Sequence, residues 1–151
     1  MSQVAFERLK EILRETYEGG IAGEGTEYLD HASGIRQTLR PLTAAQASRR
    51  LDRHPSIAAH ARHMAFHLRV TAEWVQGVRV KRDWPASFEP QSVSGEEWAR
   101  IQQDLEEARA EFLRVMAALG PEQLAEEGGG MGAIAHLAYH LGAIRQLAHR
   151  V

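Results

Sequence analysis

The stretch from Trp98 to Leu119 limits the fold more than any other part of the chain. Ile101, Leu105, Ala108, Phe112, Val115 and Leu119 recur at steps of three and four, with Trp98 one turn earlier and charged residues between them. That period lays them along one face of an α-helix. Ser94 and Glu97 form a capping box that starts the helix, and Gly120-Pro121 stops it. A helix with one apolar face must bury that face, so other segments have to supply matching stripes.

Three other segments do. Between residues 2 and 17, Ala5, Leu9, Ile12 and Leu13 share a face, and Gly19-Gly20 ends the run. After Pro55, Ser56 is a natural N-cap. Ile57, Ala61, Met64, Leu68, Ala72 and Val75 then form a second stripe, in a helix expected to reach about Val78. From about Met131 to the C-terminus, Ile134, Leu137, Leu141 and Ile144 form a third. A shorter helix is expected over Leu42 to Leu51, capped by Thr43. Two connections are long. Residues 21–34, rich in glycine, threonine and aspartate, follow neither period and read as a crossing of one end of the molecule, unusually long for a plain loop. Lys81 to Val93, with two prolines and two aromatics, reads as an ordered loop pinned by Trp84 and Phe88. No segment alternates apolar with polar residues. The expected fold is all-α, a single domain over residues 1–151 built as a four-helix bundle with long crossover connections.

Composition narrows the function by exclusion. A net charge of −2, with 25% charged residues, offers no polybasic surface for nucleic acid. No cysteine is present, which excludes a disulfide scaffold, a cysteine-containing zinc site and a cysteine nucleophile. No apolar run approaches the roughly 18 residues of a membrane span. The first residues carry no cationic and apolar leader pattern, so a cytoplasmic protein is expected.

Five of the 8 histidines lie on two of the helices. His136 and His140 stand four apart, on one helix face a turn from each other, where two imidazoles can share a metal ion. Spacing alone is not specific, because chance supplies about 0.4 such pairs in a chain of this histidine content. His60, His63 and His67 occupy one flank of the second stripe, within about 60° of arc at 100° per residue. Both groups can point into one cleft between helices, and the spacing leaves open which of the three joins the pair. The same flank positions also suit half-buried histidines with no metal. The pair is not an H-E-x-x-H zincin signature, because Leu137 stands where the general-base glutamate belongs. Asp30 with His31, or Asp52 near His54, read as polar loop residues, since no serine sits in a G-x-S-x-G elbow. Tyr139 reads as packing, and Trp74 and Trp98 as core or pocket wall.

The segment His136-Leu-Ala-Tyr-His140-Leu-Gly142 resembles the last helix of the DinB-like (YfiT-like) proteins, which carry H-x-x-x-H with a glycine two residues on. Ser56-Ile-Ala-Ala-His60-Ala-Arg-His63 is similar to that family's second helix, where a histidine follows the Ser/Thr start by seven residues. Asp83-Trp84 and Trp98 look like one branch of the family. The resemblance spans about Leu42 to Val151, and Ala143 departs from it where many members have glutamine. It implies a right-angled bundle, often a homodimer, with a divalent metal ion such as zinc or nickel on His63, His136 and His140. His60 and His67 flank His63 on either side as the alternatives. Some relatives transfer low-molecular-weight thiols such as bacillithiol or mycothiol, or isomerise maleylpyruvate with a thiol cofactor. The resemblance therefore also implies a possible thiol cosubstrate and small-molecule substrate. A non-enzymatic metal-binding or stress-response protein is the alternative expectation.

Overall fold

Apolar stripes at helical period leave each long segment with a face that water disfavours, and pairing those faces determines the architecture. The computed structural model describes residues 3–119 and 129–151. Among them run six helices: α1 (Gln3–Glu18), α2 (Ile35–Leu39), α3 (Ala44–Ser48), α4 (Ile57–Val75), α5 (Gly95–Ala118) and α6 (Gly129–Ala148). A 3-10 turn covers Pro85–Phe88. No strand occurs among the described residues; two isolated bridges, Gly20 to His31 and Ile21 to Gly25, tie the first long connection. The expected helix stop at Gly120-Pro121 and the polar piece running to Gly128 lie outside the described residues.

Helix α4 is the organising element, packing on both α5 and α6, while α1 lies against α6. Leu13, Ile57, Met64, Leu68, Leu105, Phe112, Leu137, Leu141 and Ile144 are fully buried between them. Each such side chain stabilises the fold by roughly 1.5–3 kcal/mol relative to exposure. Helix α5 begins at the expected capping box, with Glu97 N donating to Ser94 Oγ at 3.2 Å and Ser94 N donating to the Glu97 carboxylate at 2.7 Å. Arg69 of α4 forks onto both carboxylate oxygens of Asp104 of α5, at 2.7 and 2.9 Å, and fixes the pairing of the two helices. Trp98 is core, and its indole N–H donates to the Leu42 carbonyl at 2.8 Å.

The boundaries differ from the sequence expectation where a single residue decides. Helix α4 stops at Val75 because Gly77 takes a left-handed φ of 84°, and Val78 N turns back to the Glu73 carbonyl at 2.9 Å. Helix α3 keeps its Thr43–Gln46 capping box but ends at Ser48, where Arg49 goes extended. Helix α2 escapes a periodicity reading because one turn shows only two buried residues, Ile35 and Leu39. The 21–34 connection is gathered at its base, where a Cβ on Gly34 would lie 2.2 Å from Gly19 N. It is held from α1 by Glu15, whose carboxylate accepts from the backbone N–H groups of Glu27, Tyr28 and Leu29, each at 2.6 Å. Burial pushes the Glu15 pKa up, but those three donors pull harder, and the net shift is downward.

Candidate metal centre

The site is assembled where the start of α4 meets the middle of α6 beneath the 81–93 loop. Ser56 caps α4 by accepting from Ala59 N at 3.2 Å, and its hydroxyl donates to the Gln91 carbonyl at 2.6 Å. Its N–H also donates to the Gln91 side-chain oxygen at 2.8 Å. The loop is thereby fastened to the end of α4 that bears His60 and His63. Phe88 stacks flat on the His63 ring, centroids 4.0 Å apart and planes 14° from parallel. Trp84 meets the edges of Phe66 and Trp74 and leans on His67. Trp84 and Phe88 thus pin the loop as expected, with the histidine face of α4 as what they pin it to.

Three imidazoles converge. His63 Nε2 lies 3.0 Å from His136 Nε2, and His140 Nε2 lies 3.1 Å from the same atom. Nitrogens held roughly 2.0–2.1 Å from one ion are separated by roughly 3–3.5 Å, so this spacing suits a shared cation. His63, His136 and His140 each offer a ring nitrogen within 4.8 Å of the other two, a group that could hold a metal ion. The other two histidines of α4 meet the same pair in other ways. His60 places Nδ1 2.8 Å from His140 Nδ1, and His67 stacks on His136 with centroids 3.7 Å apart and planes 10° from parallel. Of the three α4 histidines, His63 is the one that groups with the α6 pair in a set that could hold a metal ion, its Nε2 3.0 Å from His136 Nε2.

Proton accounting supports the fit. Ser87 has one hydroxyl hydrogen, donated to the Trp84 carbonyl at 2.5 Å. Its oxygen must then accept from His63 Nδ1, 2.6 Å away, which leaves His63 Nε2 as a bare lone pair. A hydrogen on His136 Nε2 can serve only one of its two neighbours at full strength. A cation accepts all three lone pairs, and none is then left facing another. Burial also keeps the rings unprotonated. It pushes His60 and His63 down to about 4, and His67 and His140 down to about 3, with neighbouring imidazoles adding to the effect; His136 is lowered by burial alone.

A cavity of about 610 Å³ opens beside these nitrogens. Pro55, Phe88, Ala143 and Leu147 give it apolar walls, with His54, Gln146 and Arg150 as polar groups and, among the described residues, no carboxylate side chain in its lining. Tyr139 corrects the expectation that it packs. It is 72% exposed and lines the cavity, with its ring edge toward His140 at 5.2 Å. At 100° per residue Tyr139 stands about 60° of arc from His136, on the shoulder of the histidine face, and that shoulder is the cavity's rim. Trp74 is a partly exposed neighbour of Trp84 and lies outside the core. Asp30, His31 and Asp52 are exposed loop residues, as expected, whereas His54 belongs to the cavity. Ser87 is the functional residue that sequence reasoning missed. Its only signal is its place between Trp84 and Phe88, the two residues expected to pin the loop.

A helical bundle that gathers three imidazole nitrogens from two packed helices beside a cavity is a candidate metal-binding bundle protein. The chain belongs to the DinB superfamily, whose family model matches residues 27–144. The match takes in the end of the first connection and α2, which the motifs alone do not reach. No curated protein and no solved structure matches the chain.

Proposed function

We propose that this chain is a divalent-metal protein that uses the ion to join a low-molecular-weight thiol to a small electrophile. The observation that carries the reading is the convergence of the His63, His136 and His140 Nε2 atoms beside a cavity of about 610 Å³. Zinc and nickel are among the ions that neutral imidazole ligands suit. Bound there, such an ion supplies Lewis acidity and an open coordination position that lowers the pKa of a thiol or water.

The chain's own residues do the rest. Burial holds the three imidazoles neutral at physiological pH, so their lone pairs are free for coordination. Ser87 fixes the His63 tautomer, and Phe88 fixes its ring plane. Pro55, Phe88, Ala143 and Leu147 exclude water from one side of the cavity, and Gln146 and Arg150 supply donors for a polar or anionic substituent. Since the chain has no cysteine, the thiol comes from a cosubstrate. The same reading includes a homodimer, which light scattering at micromolar concentration tests against the 16.9 kDa monomer mass.

The decisive experiment uses untagged protein. Metal content is measured first, then conjugation of a panel of electrophiles by bacillithiol, mycothiol, glutathione and cysteine, with and without chelator. Chelator-sensitive, thiol-dependent turnover supports the reading. Bound metal with no such turnover leaves a non-enzymatic metal-binding protein, and protein that binds no metal removes both.

A further inference from the structure

We infer that His60 is a positioning residue for the metal centre: its Nδ1 accepts the Nδ1–H of His140 and so holds the His140 Nε2 lone pair toward the ion. This rests on the metal reading above and assigns a task to a histidine that is not itself a ligand.

The two Nδ1 atoms lie 2.8 Å apart, and both rings are buried. A contact that short between two neutral imidazoles requires one hydrogen between the nitrogens, carried by one ring and accepted by the other. If His60 carries it, His140 must place its own hydrogen on Nε2. That hydrogen would then point at His136 Nε2, 3.1 Å away, and the ring could not coordinate. If His140 carries it, its Nε2 is bare and faces His63 and His136. His60 then keeps its hydrogen on Nε2, the tautomer a neutral histidine side chain favours in water. Only the second arrangement gives three bare nitrogens to one ion.

His60 is placed to act this way by its own neighbours. Phe88 meets its ring edge-on at 6.1 Å, and the Ser56 cap fixes the turn of α4 from which it projects. Metal-ligating histidines commonly give their second N–H to a carboxylate, a carbonyl or water. Here the acceptor for His140 is another imidazole, and the acceptor for His63 is the Ser87 hydroxyl. Among the described residues, no carboxylate side chain lines this cavity. Both acceptors are neutral, which leaves the bound ion a stronger electrophile than a carboxylate-supported one.

The test compares His60→Asn with His60→Leu. Asparagine keeps an acceptor close to where Nδ1 stood, while leucine has nearly the same shape and no acceptor. Zinc affinity is measured by competition with a chromogenic chelator, and cobalt binding by its visible spectrum. Circular dichroism and thermal unfolding establish that both variants fold. His60→Leu should lose about tenfold or more in affinity, within the 10–100-fold range for such partners, while His60→Asn stays within a few-fold of wild type. Nitrogen NMR of histidine-labelled wild-type protein should place the His140 hydrogen on Nδ1, and in His60→Leu that signature should be lost. Leucine binding as well as wild type, or asparagine and leucine losing affinity equally, would overturn the assignment. So would a wild-type His140 protonated on Nε2. Wild-type protein that binds no metal refutes the metal reading instead, and the NMR still decides the tautomer.

Discussion

Replacing Ser87 with alanine removes one hydroxyl and isolates what the 81–93 loop does for the site. The hydroxyl stands between two partners, accepting from His63 Nδ1 at 2.6 Å and donating to the Trp84 carbonyl at 2.5 Å. The carbonyl keeps a partner in Ser87→Ala, because the Ser87 backbone N–H also reaches it at 3.2 Å. The Nδ1–H of His63 keeps none. A buried donor left unpaired costs about 1–3 kcal/mol, so metal-free stability should fall by about that amount. For a domain of this size that is roughly 3–10 °C in melting temperature. The ring can recover by moving its hydrogen to Nε2, but that closes the position the ion needs. Zinc affinity should therefore fall about tenfold or more. Calorimetric titration of zinc alongside thermal unfolding of the metal-free protein separates the two effects. A variant with lowered stability but unchanged zinc affinity would refute the reasoning, because Ser87 would then support the loop and not the tautomer.

Three further outcomes are expected. Metal-free protein should lose stability as pH falls from about 6.5 toward 4. The folded pKa values of about 4 for His60 and His63 and about 3 for His67 and His140 lie below the unfolded value, so the unfolded chain binds more protons in that window. A urea midpoint that stays constant or rises on acidification would contradict this. Phe112→Ala, at a fully buried position between helices, should destabilise by about 3–5 kcal/mol in chemical denaturation, with metal stoichiometry kept wherever the protein remains folded. Glu15→Gln should speed hydrogen exchange within residues 27–29, because a carboxamide keeps one accepting oxygen and turns a donor NH2 toward the remaining N–H, while zinc affinity stays at the wild-type level.

The long helices and their inward faces were legible because burial imposes a period on the sequence. Trp98 to Val115, Ile57 to Val75 and Ile134 to Ile144 each repeat often enough to show it. Caps at Thr43, Ser56 and Ser94 were legible because N-capping is a local bond between residues three apart. Helix α2 was not, since one turn carries no period. The placement of Phe88 and Ser87 on His63 was not legible either, because it depends on how a loop lies across a helix distant in sequence. The choice of His63 over its neighbours one turn either way came from the family resemblance and from nothing in the spacing. Geometry supplies the physical reason, in the direction each ring nitrogen points.

The packing of α4 on α6 has a consequence for the denatured chain. His63 and His136 lie 73 residues apart in sequence. An ion shared between them acts as a reversible cross-link closing a loop of that length. A permanent link of that span would remove about 4 kcal/mol of chain entropy from the unfolded state. The unfolded chain must lose that entropy before it can offer the ion three imidazoles, whereas the native helices present them already gathered. Metal at concentrations well above its dissociation constant should therefore hold α4 against α6 through fluctuations that open the metal-free protein. Of all the helix pairs, this one should gain most in hydrogen-exchange protection when the ion is added.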